Sequence, residues 1–559
     1  MMATYKGLLT RLSTLPRFRL LGISTALMAG LGIFLVLLLC PAHIFTAGQP
    51  KEKDPPKVKA PGLDGGVAWL NTKEPIKLED LKGRVVLLDF WTLCCINCIH
   101  TLPDLARLET KYGGSLVVIG VHSPKFPNEE KTESIRKAVL RYQIKHPVIN
   151  DAKHAIWRRY QVRAWPTLVL IDPEGNFVGY TSGEGRYDVL DKYIGELVTE
   201  YKKKGTLKTK LLPFQLERRK ESAAKHPLYF PGKILADAKH DRLYIADSTH
   251  HRIVITDLAG KLIETVGTGL EGKKDGSFDE ASFSDPQGMA RVGNILYVAD
   301  RKNHMIRALD LKKKTVKVAA GTGKQDRFGR FAQGDALKTG LNSPWDLLYH
   351  QGKLFIAMAG HHQIWTFNLT TNEVSPYAGN GRENIADGTL MDESEFAQPS
   401  GLATDGKTLY VADSETSSIR AVPMNGKGKV ETLVGSGLFV YGDKDGTGKE
   451  VRLQHALGVA YKNGLLYVAD TYNSKIKTLD PKTKECKTFS LKEMGKKSKL
   501  PILGEPGGIS FAGDKLYVAD TNNHRIRVID MKSHVVSTVG IEALTPPEVL
   551  AKATEKERE

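Results

Sequence analysis

A chain of 559 residues is too long for one ordinary domain and calls for two or three. Its hydrophobic content of 41% and charged content of 26% are those of a globular protein, and its 53 glycines imply frequent turns. The net charge of +17 is uneven: nine Lys/Arg stand against two Glu between Tyr201 and Lys225, which reads as a solvated linker. No basic face interleaved with aromatics and no nucleic-acid motif accompanies it, which argues against nucleic acid as a partner.

Residues 1–19 form a basic segment with Lys6, Arg11, Arg17 and Arg19 and no acid. The next 21, LLGISTALMAGLGIFLVLLLC (20–40), are uncharged and mostly apolar, long enough to cross a bilayer as one helix. The positive flank predicts a cytoplasmic N-terminus, with the bulk of the chain extracytoplasmic, in a periplasm or on a cell surface. The stretch is longer than a signal-peptide core and lacks a good cleavage site, so an uncleaved anchor is expected. Cys40 follows three leucines and reads as an apolar membrane-face residue. An oxidising compartment lets a cysteine pair cycle or stay oxidised. Residues 41–56, rich in Pro and Lys towards their end, form a tether.

From 57 to 200 short apolar runs alternate with helical periodicity. VVLLDFW (Val85–Trp91), LVVIGVHS (Leu116–Ser123) and TLVLID (Thr167–Asp172) predict buried strands. Ile96–Tyr112, the stretch around Ile135, Val139, Tyr142 and Ile144, and Tyr187–Tyr201 predict helices. The alternation makes this an α/β domain. Residues 201–226 are the basic linker.

Three of the five cysteines crowd into CCINC (Cys94–Cys98), at the turn from a strand into a helix. Free N–H groups and the positive end of the helix favour a thiolate there. Adjacent Cys94 and Cys95 are poor partners, because a trans peptide fixes their Cα atoms about 3.8 Å apart. Cys95–Cys98 and Cys94–Cys98 both remain open.

The segment DFWTLCCINC (Asp89–Cys98) resembles the thioredoxin active site, and AWPTLVLID (Ala164–Asp172) resembles that fold's second signature. The extra helical segment between Asn128 and Tyr160 is most similar to the membrane-tethered TlpA/ResA type. The resemblance implies an attacking Cys95, a resolving Cys98, and Asp89 as the buried carboxylate that handles the resolving thiol's proton. It further implies a cis-Pro166 beside the disulfide, with Trp91 and Trp165 as flanking aromatics. Cys94 replaces the usual aromatic residue, and Ile96-Asn97 replaces a proline-containing pair. Cys94 could be a third redox partner, a shielded spectator or part of a metal site. A zinc site lacks a second Cys/His pair. The Cys94/Cys98 spacing of copper chaperones would need His146 or His154. His100 reads as a surface residue.

From Leu228 onward a motif recurs six times: LYIADSTHHRI, LYVADRKNHMI, LFIAMAGHHQI, LYVADSETSSI, LYVADTYNSKI and LYVADTNNHRI. Residues 227–540 thus predict six stacked β blades, a propeller. The copies resemble NHL repeats. The repeated Asp is expected to accept N–H bonds from the turn that follows. His251, His304, His362 and His524 are expected to serve those turns on one rim rather than a metal ring. Gly267–Asp285, Gly321–Asn342 and Gly435–Gln454 could form a binding rim, and Cys486 reads as a lone buried thiol. Residues 541–559 are a charged tail.

The fold class is therefore multi-domain: a transmembrane helix, an α/β thioredoxin-like domain and an all-β six-bladed propeller. The expected function is a membrane-anchored thiol–disulfide oxidoreductase acting on protein thiols or disulfides, with no cofactor besides a Cys95–Cys98 disulfide and no metal. The alternative is a scaffold whose propeller binds a protein or glycan.

Overall fold

The computed structural model describes residues 57–493 and 501–550. The expected anchor at 20–40 lies outside the described residues, and no helix among those described is long and apolar enough to cross a membrane.

The first layer is a six-stranded sheet in the order β1-β4-β3-β2-β5-β6: β1 (Ala68–Leu70), β2 (Val85–Trp91), β3 (Leu116–His122), β4 (Val148–Asn150), β5 (Thr167–Ile171) and β6 (Phe177–Ser182). β2 is parallel to β3 and antiparallel to β5. All seven residues of β2 are buried because both sheet faces are covered. Val86, Leu88 and Phe90 enter one core, whereas Val85 and Leu87 face α1 (Ile96–Tyr112) with Leu105 and Leu108. The other helices are α2 (Thr132–Arg141), α3 (Ala155–Arg159) and α4 (Tyr187–Lys203). Strands β1, β4 and β6 and helix α3 carry too little periodicity to stand out in the sequence. The segment after α4 runs over this domain: Leu212 and Phe214 pack on its core, and the buried Glu217 takes its N–H to Asn71 Oδ1 at 2.8 Å.

Six sheets follow, one per sequence repeat, each built on four antiparallel strands with the first of them around the axis. Blade 2, for example, runs outward through Pro286–Val292, Ile295–Asp300, Met305–Asp310 and Thr315–Ala320. Five blades carry a fifth, two-residue strand, which in blade 2 (Gly276–Ser277) comes from the preceding loop. The axial channel is crossed by the buried Lys233, whose Nζ lies 2.6 Å from the Ser400 carbonyl, 2.5 Å from that of Leu457 and 3.3 Å from Asp346.

The repeated Asp corrects the sequence-based expectation. Its carboxylate reaches back to the loop leading into its own blade, where it accepts an N–H from Tyr229, Ser284, Ala397, Gln454 or Gly504 at 2.6–2.8 Å. The following turn contributes a side chain instead, such as Asn303, Asn473 or Asn523 at 2.8–2.9 Å. A cation seven residues on completes the group in three blades: Arg307 on Asp300 at 3.0 Å, Arg420 on Asp413 at 3.6 Å and Lys477 on Asp470 at 3.9 Å.

Blade 3 loses both charges together. Met358 stands at the Asp position, its sulfur 3.3 Å from the Asn342 N–H, and Trp365 stands where Arg420 stands in blade 4. Removing one partner of a buried ion pair costs far more than replacing both with apolar groups. Arg420→Leu is therefore expected to cost about 3 kcal/mol in denaturant unfolding, with Asp413 left alone. The double change Asp413→Met/Arg420→Trp, which copies blade 3, should cost clearly less than Arg420→Leu.

Candidate functional site

Strand β2 ends at Trp91 and the chain turns through Thr92–Cys95 into α1. Cys95 is the N-cap of α1, and its Sγ accepts the Cys98 N–H at 3.2 Å, filling the role that a Ser or Asp oxygen usually has. Cys95 is half-buried, and Cys94 and Cys98 are buried; all four described cysteines are free thiols. A sulfur anion at position 95 would sit at the positive end of a 17-residue helix. Burial pushes the Cys98 thiol well up, helped by its contact with Cys95 and by Asp89. Burial also raises Cys94, with Glu129 and Glu415 adding to the effect.

Asp89 lies on β2 and faces α1, as the alternation along the strand requires. It is fully buried, and neither carboxylate oxygen has a hydrogen-bond partner among the described residues. Burial moves its pKa up to about 7, opposed by His146. Such a carboxyl is poised to take and return a proton at neutral pH. The Trp165–Pro166 peptide is cis. Pro166 is buried and directly precedes β5, whose Thr167 pairs with Phe90, so it stands at the sheet end from which the cysteine turn leaves. Trp165 packs against the cluster containing Trp91 and the cysteines.

The propeller closes over this turn. A residue one to four positions before each inner strand has a left-handed backbone: Phe230, Asp285, Ser343, Gln398, His455 and Glu505, with φ between 48° and 64°. The backbone N–H of each is accepted by a side chain of the preceding blade, namely His524, His251, His304, His362, Ser417 and Ser474 in the same order, at 3.0–3.3 Å. The four histidines therefore tie neighbouring blades together. Five of the six fixed positions touch the thioredoxin-like domain: Phe230 under Arg141, Ser343 on His100, Gln398 on the cysteine turn, His455 against Phe126 and Glu505 on Asn128.

Gln398 reaches the chemistry. Its Oε1 accepts the Ile96 N–H at 2.8 Å and its Nε2 donates to the Cys94 carbonyl at 3.0 Å, bracketing Cys95. Beside it the buried Lys125 pairs with Glu415 of blade 4. Glu129 holds the turn from the other side, accepting from Cys94 N–H at 2.9 Å, Thr92 Oγ1 at 2.6 Å and Lys125 N–H at 2.8 Å.

None of Gln398, Glu415 and Glu129 is legible in the sequence: Gln398 and Glu415 act across 302 and 290 residues, and Glu129 reaches back 35 residues to the cysteine turn with no motif to mark it. His100 corrects the surface reading: it is buried in the interface, between Glu184, Ser343 Oγ at 2.6 Å and Gln325 at 2.8 Å. Gln325 and Tyr441, on two of the loops read as a binding rim, also engage this domain. His154 gives its Nε2 to the Pro124 carbonyl at 2.9 Å, and His146 turns its Nδ1 to Glu109 at 3.4 Å, so neither joins the cysteines. Among the described residues one group has metal-type spacing, Glu221, His226 and His524. His524 spends Nδ1 on Phe230 N–H and Nε2 on Glu221 at 3.1 Å, which explains the group without an ion.

Two outcomes follow from this geometry. Gln398→Ala should leave the fold intact but loosen the turn, read as faster alkylation of Cys95 by iodoacetamide; an unchanged rate would show that the clamp is idle. Asp89→Asn should flatten the acid side of the stability curve. The unfolded carboxyl releases its proton near 4 and the folded one near 7, so the wild type loses stability as pH rises through that window. At pH 8 the Asn variant should be the more stable by on the order of 4 kcal/mol in denaturant unfolding.

Comparison with known proteins agrees with this architecture. A thioredoxin-like family profile matches residues 83–177 and an NHL repeat profile matches residues 503–529. NHL repeat-containing protein 2 of Bos taurus is 44% identical over 77% of this chain and 63% of its own length. The Gallus gallus protein of that name is 41% identical over 82% of this chain and 67% of its own length. The thiol-disulfide oxidoreductase ResA of Bacillus cereus is 32% identical over 30% of this chain and 94% of its own length. The chain thus spans about two thirds of the length of the NHL repeat-containing protein 2 relatives, and with a thioredoxin-like domain seated on a six-bladed NHL propeller it belongs to the NHL repeat-containing protein 2 family.

Proposed function

We propose that the chain is a thiol–disulfide oxidoreductase acting on protein thiols or disulfides, tethered to a membrane by residues 20–40 with its folded part on the extracytoplasmic side. The observation that carries the reading is the Cys95 sulfur at the helix N-cap, hydrogen-bonded by Cys98 N–H, with the unpartnered carboxyl of Asp89 buried below. In the cycle the Cys95 thiolate attacks a substrate disulfide, the Cys95–substrate bond forms, and one substrate thiolate leaves. Cys98 then gives its proton to Asp89, its sulfur attacks Cys95, and the second substrate thiolate departs. The Cys95–Cys98 disulfide that remains is re-reduced by a dithiol through the same steps reversed. No other cofactor is required.

A second reading has its own support. The propeller spends five of its six fixed positions on the thioredoxin-like domain, and Cys94 and Cys98 are fully buried. That arrangement suits a scaffold in which the cysteine domain senses redox state while the propeller binds a protein or glycan.

One experiment separates the two. Cys98→Ser in the full chain, exposed to oxidised glutathione, should accumulate a reducible adduct at Cys95 that is absent from Cys95→Ser/Cys98→Ser. No adduct in a folded protein would leave the scaffold reading.

A further inference from the structure

We propose that His146 and Glu109 carry the proton of Asp89 between the buried site and the groove that separates α1 from blades 1 and 2; this rests on the oxidoreductase reading above. The register of the central strands pairs Asp89 with Gly120, and both positions face α1. Gly120 has no side chain, and the space beside it is taken by others. A Cβ there would stand 2.9 Å from Trp91 Nε1 and 3.5 Å from His146 Nε2. Gly120 N–H also bonds the Pro147 carbonyl at 2.9 Å, which pins the His146 segment over this spot.

Both Asp89 oxygens, Trp91 Nε1 and His146 Nε2 are buried around this spot without a hydrogen-bond partner among the described residues, and Asp89 and His146 are near enough for each to feel the other's charge. The opposite nitrogen of His146 faces outward to Glu109 Oε2 at 3.4 Å, and the side-chain exposure rises from 4% at His146 to 27% at Glu109. Both residues line an interdomain groove of about 530 Å³. A path runs from buried acid through imidazole to a wetted carboxylate. Facing the imidazole are Asp89 and Trp91 from β2 and Glu109 from α1, with Cys98 further along the same face. Across the groove stand His251, Glu271 and Lys302, and Arg141 and Lys145 flank it on its own side.

The proton balance closes without a ring flip. When Cys98 is oxidised its proton passes to Asp89, then to His146 Nε2, while the Nδ1 proton leaves through Glu109. Re-reduction needs a proton on Cys98 and drives each transfer backwards, restoring the first tautomer. His146 and Glu109 are positioning and relay groups that touch neither sulfur.

The test follows one step in the full chain. Oxidised glutathione is mixed with reduced protein, samples are acid-quenched, and mass spectrometry times the conversion of the Cys95 adduct into the Cys95–Cys98 disulfide from pH 5 to pH 9. His146→Gln and Glu109→Gln should form the adduct at the wild-type rate but resolve it at least tenfold more slowly near pH 7. Their rates should recover at high pH, where hydroxide takes the proton, and added imidazole should partly rescue His146→Gln. Resolution rates and pH profiles equal to wild type would overturn the relay alone. A wild type that forms no adduct would overturn the reading beneath it. Should His146→Gln lose its fold by circular dichroism, Glu109→Gln at the groove decides.

Discussion

One backbone constraint organises the molecule: the left-handed residue that opens each blade. Its φ near +50° is uncommon for a side chain other than glycine and is held by an N–H bond to the preceding blade. Because that bond takes only the residue's own main-chain N–H, its side chain is free, and the six copies carry Phe230, Asp285, Ser343, Gln398, His455 and Glu505. A near-symmetric ring thereby carries six different groups, five of which meet one asymmetric partner. The geometry is repeated, and the identity of the side chain does the discriminating.

That partner is met at its chemically sensitive end. Gln398 supplies an acceptor and a donor to the two peptide groups flanking Cys95, as a neighbouring strand would, and Glu129 and the Lys125–Glu415 pair complete the turn. Buried charges are tolerable only when paired and hydrogen-bonded, and here the pairs cross the interface. The interface excludes water from Cys94 and Cys98. Every electrostatic effect at the sulfurs is then stronger than it would be in an open site.

The sequence disclosed what depends on local pattern. The ends of β2 and α1 follow from VVLLDFW and the helical spacing after Cys95, and the six repeats announce six blades. Asp89 and Trp165-Pro166 are visible because their spacing from the cysteines matches a known signature. What stayed hidden is long-range. Gln398 lies 302 residues from the N–H it accepts, and nothing in FAQPS marks it. His100 looked like a solvent-facing residue on a helix until a second domain was placed on that face. The repeated Asp misleads a local reading because its nearest N–H groups in sequence are not those it uses, which lie upstream in the loop leading into its own blade. Short strands such as β1 and β4 are fixed by neighbours and not by their own three residues.

Blade 3 shows why drift in a repeat must be read in pairs. Met358 alone would look like a lost anchor, and Trp365 alone like an intrusion into a charged position. Together they exchange an ion pair for apolar contact while Asn342 keeps a weak acceptor in the sulfur, so the loop into the blade holds its place. The same logic applies to the cysteine turn. Cys94 stands where an aromatic residue is expected, and Gly120 leaves room for the imidazole of His146 next to the residue that pairs with it. The Cys94 departure is matched by contacts from elsewhere in this chain, Glu415 and Lys125, and the space beside Gly120 is taken by His146. The acid–thiol balance of the site therefore belongs to both domains at once, and neither half considered separately would carry it.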